Sequence, residues 1–122
     1  MIAAAILLTA APVDPVVGRW EGTSLCQVKL SPCHDEHAVY YMKKAGSHGY
    51  KLDGYKLVSG QEQFMGAIDL TFDARLNQLN AVIVDRAGSP TRLKLVLKGN
   101  HLSGTMIEAD GTLYRLIEID KR

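Results

Sequence analysis

The chain has 122 residues, 47 % of them apolar and 22 % charged, which is the make-up of one ordinary globular domain. Disordered, collagen-like and coiled-coil classes are excluded by that balance. Fourteen Lys and Arg stand against 13 Asp and Glu, so the net charge is +1 and no strong field exists for nucleic acid or an anionic membrane surface.

The first residues form a separate object. Ile2 to Ala11 read IAAAILLTAA, and no charged side chain precedes Asp14. This apolar run is too short to cross a bilayer, which takes about 20 residues. It suits the apolar stretch of an export signal, with Thr9, Ala10 and Ala11 as the small residues at a cleavage point. The basic residues that open such signals are lacking after Met1. The expectation is an export signal over 1–11, a linker over 12–16, a single domain over 17–122, and a periplasmic or secreted location.

Cys26 and Cys33 fit that compartment, being seven apart with Ser31 and Pro32 between them. In an oxidising compartment such a pair closes a local loop. A ring this small adds roughly 2–3 kcal/mol of stability on the chain-entropy account. Redox chemistry uses C-x-x-C ahead of a helix. The spacing here is wider and no helical pattern follows, so a structural disulfide is expected.

From residue 17 onward the apolar period is 2, not 3.6. Ile68, Leu70 and Phe72 share one face, as do Leu93, Leu95 and Leu97. Leu113, Ile117 and Ile119 do the same near the C-terminus. Residues 37–44 and 78–85 are rich in β-branched or aromatic types. Turn signals separate these runs: Gly46 to Gly49, Ser59-Gly60, Ala87 to Pro90, Gly99-Asn100 and Asp110-Gly111. Asp53-Gly54 is read as a bulge within one strand over 49–58.

Eight strands follow: 17–27, 37–44, 49–58, 63–73, 78–85, 91–98, 101–109 and 112–120. The links are short except for the cysteine-bounded loop over 28–36. Short sequential links favour antiparallel neighbours in an up-and-down meander. Eight strands can close into a barrel, which removes exposed edges. The fold class is therefore all-β, an eight-stranded antiparallel up-and-down barrel. Its interior is wide enough for packed side chains or one small ligand.

Within the first strand, Trp20 shares its face with Gly18, Gly22, Ser24 and Cys26, all small. A large indole among small neighbours reads as a plug for a narrow interior. Arg115 shares the face of Leu113, Ile117 and Ile119 in the last strand. A charge on an apolar face must find a partner. Trp20, the only Trp, is the candidate, through a cation–π stack.

Gly18-x-Trp20 at the start of the first strand, with Arg115 inside the last, resembles the signature of the lipocalin/calycin superfamily. The stretch LKGNHLSGTM is similar to late hairpins of lipocalin-like bacterial barrels. The resemblance implies a small exported lipocalin-like domain, in which the Trp closes one barrel end and the Arg packs across it. It covers residues 16–120 in architecture and few positions in identity. Typical lipocalins are longer and end in a helix; this chain has no such helix, and its Cys26 to Glu36 segment lies outside the general pattern.

His34, Asp35, Glu36 and His37 form the densest polar cluster. A metal role for His34, Asp35 and His37 is the weaker reading, because consecutive residues rarely converge on one ion and no helix supplies H-E-x-x-H spacing. Asp35 and Glu36 are instead read as acceptors for loop amides after Pro32. The same loop over 28–36 is also a candidate lid for the barrel mouth. Haem would need one inward His, and His37 or His101 has no supporting pattern. No nucleophile elbow and no phosphate-binding Gly loop is present, so no catalytic residue and no cofactor is assigned.

The ligand reading rests on Tyr40, Met42, Tyr50, Tyr55, Met65, Met106 and Tyr114 as candidate lining residues, giving adaptable apolar walls with a few hydroxyls. Whether Tyr40 or Tyr41 points inward depends on register and is left open. The expectation is an exported barrel that binds a small apolar or amphipathic molecule, with no nucleic-acid partner and no membrane-spanning segment in the mature chain. The alternative is a filled barrel that serves as an interaction domain.

Overall fold

The structure is a computed structural model that describes residues 13–85 and 87–122. The export-signal reading of 1–11 lies outside the described residues. Eight strands follow in chain order: β1 (Gly18–Cys26), β2 (Glu36–Ala45), β3 (Gly49–Val58), β4 (Gln61–Asp73), β5 (Gln78–Val84), β6 (Pro90–Lys98), β7 (His101–Glu108) and β8 (Leu113–Lys121). Each boundary lies within two residues of the sequence expectation.

The strands pair antiparallel in sequence order, and β1 pairs with β8, so the sheet closes into a barrel. Period-2 alternation is what allows this: Leu93, Leu95 and Leu97 on β6, and Ile117 and Ile119 on β8, are all buried inside. Gly22 and Gly104 are required by close approach. A Cβ on Gly22 would lie 2.8 Å from Cα of Ile119 and overlap the Glu118 carbonyl; one on Gly104 would overlap the Lys94 carbonyl and lie 2.7 Å from Leu95.

The barrel has two unlike ends. At the first, Trp20, Val16, Met42, Tyr50, Leu70 and Leu79 pack into a solid floor. Residues 14–16 belong to this floor. The Trp20 indole N–H donates to the Val16 carbonyl at 2.8 Å. The Asp14 carboxylate accepts from the Val16 amide at 2.8 Å and from the Tyr50 hydroxyl at 2.8 Å. Burial pushes the Asp14 carboxyl up, but the Val16, Tyr50 and Val17 hydrogen bonds together hold it below its ordinary value.

The expected Trp20–Arg115 stack does not form. Register decides this: Trp20 lies opposite Lys121, and Arg115 lies opposite Cys26, six residues further along β1. That separation is about 20 Å of strand. The cation over the Trp20 ring is Lys121, 5.5 Å from its centre.

Two irregularities shape the other end. The first falls where Gly54 pairs with Gly66 and Tyr55 with Phe64, leaving Met65 as an extra residue on β4. The bulge thus sits beside Gly54, but on the partner strand. The second leaves Tyr114 as the extra residue on β8, between the pairs Met106–Arg115 and Ile107–Leu113. In addition, β4 and β5 pair only over Thr71–Asp73 and Gln78–Asn80, so the wall between them is not laced by hydrogen bonds further up.

Candidate functional site

The upper half of the barrel holds a cavity of about 250 Å³. Its walls are apolar: Leu52 from β3, Ile68 from β4, Ile83 from β5, Leu93 from β6, Met106 from β7 and Ile117 from β8. The Met65 bulge and Gly66 border it where β4 stands apart from β5. A wider depression of about 420 Å³ lies between Asp69, Thr71, Arg92 and Lys94. Those side chains face solvent on the outer surface, so it is a surface dip rather than an interior site.

One polar group projects into the apolar cavity. Arg115 Nη2 pairs with Glu36 Oε1 at 2.9 Å, and both side chains are largely buried. Arg115 Nη1 donates to the Ser24 carbonyl at 3.1 Å, the Ser24 hydroxyl at 3.2 Å and the His34 carbonyl at 3.0 Å. Alternation explains the assembly. Glu36 is the inward position that continues Ala38, Tyr40 and Met42 on β2, and it lies opposite Ser24 on β1. Arg115 is the inward position that continues Ile119 and Ile117 on β8, just before the Tyr114 bulge breaks the alternation. The buried charge therefore has partners on both Nη atoms, as a low-dielectric site requires.

Tyr40 completes the group. It is the inward member of the Tyr40–Tyr41 pair and only 7 % exposed. Burial, then the Glu36 charge, pushes its phenol up to about 12; the neighbouring Ser24 hydroxyl and the Arg115 charge pull the other way. The phenol is thus a donor at any physiological pH.

The candidate lining residues divide. Tyr40, Met65 and Met106 line the cavity. Met42 and Tyr50 point inward but belong to the floor. Tyr55 faces out and packs edge-on against Tyr41 at 5.5 Å and Phe64 at 5.3 Å. Tyr50 and Tyr55 would share a face only with an extra residue inside β3; the extra residue is on β4, so β3 keeps its alternation. Tyr114 leaves the alternation, and its ring packs 5.3 Å from the Arg115 guanidinium carbon. Glu36, expected from the sequence to accept from loop amides, instead pairs with Arg115, and the sequence does not single out Ser24 as a site residue. The signal was present: an Arg on one apolar face and a Glu on another are each other's simplest partner.

His34, Asp35 and His37 do not converge. Asp35 accepts from the Cys26 amide at 2.9 Å, His37 Nε2 meets Glu21 at 2.8 Å on the outer surface, and the His34 carbonyl serves Arg115. Among the described residues, no group of three or more His, Cys, Asp or Glu side chains is placed to hold a metal ion. His101 also faces outward, between Asp120 at 2.7 Å and Glu118 at 2.5 Å. Cys26 and Cys33 form a disulfide with Cα atoms 5.9 Å apart, which closes the loop carrying His34. No helix among the described residues is long and apolar enough to cross a membrane.

Compared with known proteins, the chain matches no family model and no curated sequence.

Proposed function

We propose that this chain is an exported lipocalin-like barrel that binds a small apolar or amphipathic molecule in its upper half. The observation that carries the reading is the cavity of about 250 Å³, apolar on most sides with one ion-paired polar cluster at Arg115 and Glu36. Concave apolar walls with a few convergent polar groups are the usual make-up of a small-molecule site. The volume lies just below the common range of about 300–1,000 Å³, so the occupant is small. A closed eight-stranded meander with a Trp buried in its floor supports the lipocalin-like assignment. The disulfide supports the exported setting, since such bonds persist in oxidising compartments.

Binding is tested with N-phenyl-1-naphthylamine, a neutral probe that fluoresces in apolar surroundings, and with native mass spectrometry of protein purified from its own host. The expected result is saturable probe binding, abolished when Met106→Trp fills the cavity while the far-ultraviolet circular dichroism is unchanged. A wild-type protein that neither binds the probe nor carries a co-purifying mass overturns the reading in favour of a filled interaction domain.

A further inference from the structure

We infer that the cavity selects molecules whose polar end is an uncharged hydrogen-bond acceptor, such as a ketone, aldehyde or ester, and excludes the corresponding carboxylates. The inference rests on the ligand-binding reading above and adds the chemistry of the head group.

The cavity is lined by one cation, Arg115, and one anion, Glu36, joined at 2.9 Å. Among its lining residues the only other titratable group is Tyr40, whose phenol stays neutral for the reasons given above. The lining is therefore neutral as it stands. A ligand carboxylate arriving at Arg115 meets a site whose positive charge is already matched, and sets a second negative charge beside Glu36 between apolar walls. Two carboxylates sharing a desolvated site cannot both stay ionised without a large cost. A ligand ammonium has the converse difficulty, because it must compete with Arg115 for Glu36.

A neutral acceptor meets no such conflict. Ser24 and Tyr40 bring hydroxyls to the polar end of the cavity. Arg115 bonds through Nη1 and Nη2, and a guanidinium has a further N–H on Nε. The remaining wall, from Leu52, Ile83, Leu93 and Ile117, suits a short hydrocarbon body. An acceptor oxygen directed at these donors satisfies the polar end without adding charge, and the hydrocarbon is buried at about 25 cal/mol per Å².

The test uses two matched series with roughly six to ten carbons, methyl ketones and carboxylates, measured at pH 7 by displacement of N-phenyl-1-naphthylamine from the full folded protein. The expected result is that the best ketone binds about tenfold or more tightly than the carboxylate of equal length. In wild-type protein the carboxylate should then gain affinity as the pH falls below about 5, where it enters as the neutral acid. Glu36→Gln should raise carboxylate affinity about tenfold, by freeing the guanidinium, and change ketone affinity much less. Carboxylates that bind wild-type protein as tightly as ketones overturn the head-group inference and leave the cavity reading intact. Probe binding that no member of either series displaces below about 1 mM overturns the head-group inference alone, whereas absence of both probe binding and a co-purifying mass removes both readings.

Discussion

The Lys121 ammonium sits 5.5 Å from the centre of the Trp20 ring and donates to the Pro15 carbonyl at 3.0 Å. One side chain of the last strand thus joins the indole of the first strand to the segment that closes the floor. Lys121→Ala should cost about 1–2 kcal/mol, from one cation–π contact and its backbone hydrogen bonds. Since Trp20 is the only Trp, its emission reports on the floor directly. Urea denaturation followed at that emission should show a lower midpoint and a red-shifted native spectrum for Lys121→Ala. Arg115→Met should leave the native emission maximum unchanged, and a red shift in that variant counts against the register between β1 and β8.

Arg115 and Glu36 make a second prediction. Arg115→Met leaves a largely buried carboxylate without its cation, which should cost about 3–5 kcal/mol. The double variant Arg115→Met with Glu36→Leu removes both charges and should recover more than half of that loss, because the pair must offset its own desolvation. A double-mutant cycle by chemical denaturation measures the coupling. Additive losses would mean the two side chains do not depend on each other.

The outer-surface cluster on β7 and β8 sets a pH dependence. The Asp120 hydrogen bond, then the Glu118 hydrogen bond, holds the His101 imidazole above its ordinary value of 6.5. A raised folded value means that protonated His101 stabilises the fold. That contribution is fully present below about pH 6.5 and is lost as the pH rises through the higher folded value. Glu118 behaves oppositely: the Ser103 hydroxyl is the main cause holding its carboxyl below its ordinary value, so its contribution is lost at acid pH. The cluster is well exposed, so the His101 effect should stay below about 1 kcal/mol. Stability curves for wild type and His101→Gln should differ near pH 6 and converge by about pH 9. A difference that grows with rising pH contradicts the assignment.

Loss of the disulfide should act on stability and on the site together. Cys26→Ser with Cys33→Ser removes a short covalent loop worth roughly 2–3 kcal/mol, or about 10 °C in Tm for a domain this size. The loop carries the His34 carbonyl, which accepts from Arg115 at 3.0 Å, so probe affinity should fall as well. Scanning calorimetry and probe titration before and after reduction check both. Unchanged probe affinity would show that the loop does not help to position Arg115.

The strands are legible because period-2 patterning recurs within elements of 7 to 13 residues and the turns carry Gly, Asn or Asp. The floor was legible in part: Trp20 among small neighbours did announce a plug. Its cation was misjudged because the sequence does not reveal the offset between β1 and β8, and that offset puts Lys121 rather than Arg115 opposite the indole. Tyr114 is out of phase with Arg115, Ile117 and Ile119, so the alternation that puts those three inside keeps it off the inner face; Tyr55 differs from expectation for a reason of register. One extra residue on a strand changes which side chains face inward, and nothing in the run Gln61 to Asp73 distinguishes Met65 from its neighbours as the bulged residue.

The order of pairing has a consequence for synthesis. Among the described residues, seven ladders join strands that are neighbours in sequence, and only β1 with β8 joins the first strand to the last. As the polypeptide emerges, each new strand finds its template already made, yet β1 waits for the last nine strand residues, Leu113–Lys121, before its outer edge is covered. Until then both terminal edges can recruit foreign strands. The span between first and last strand is thus the interval of greatest aggregation risk, and premature termination anywhere in β8 prolongs it indefinitely.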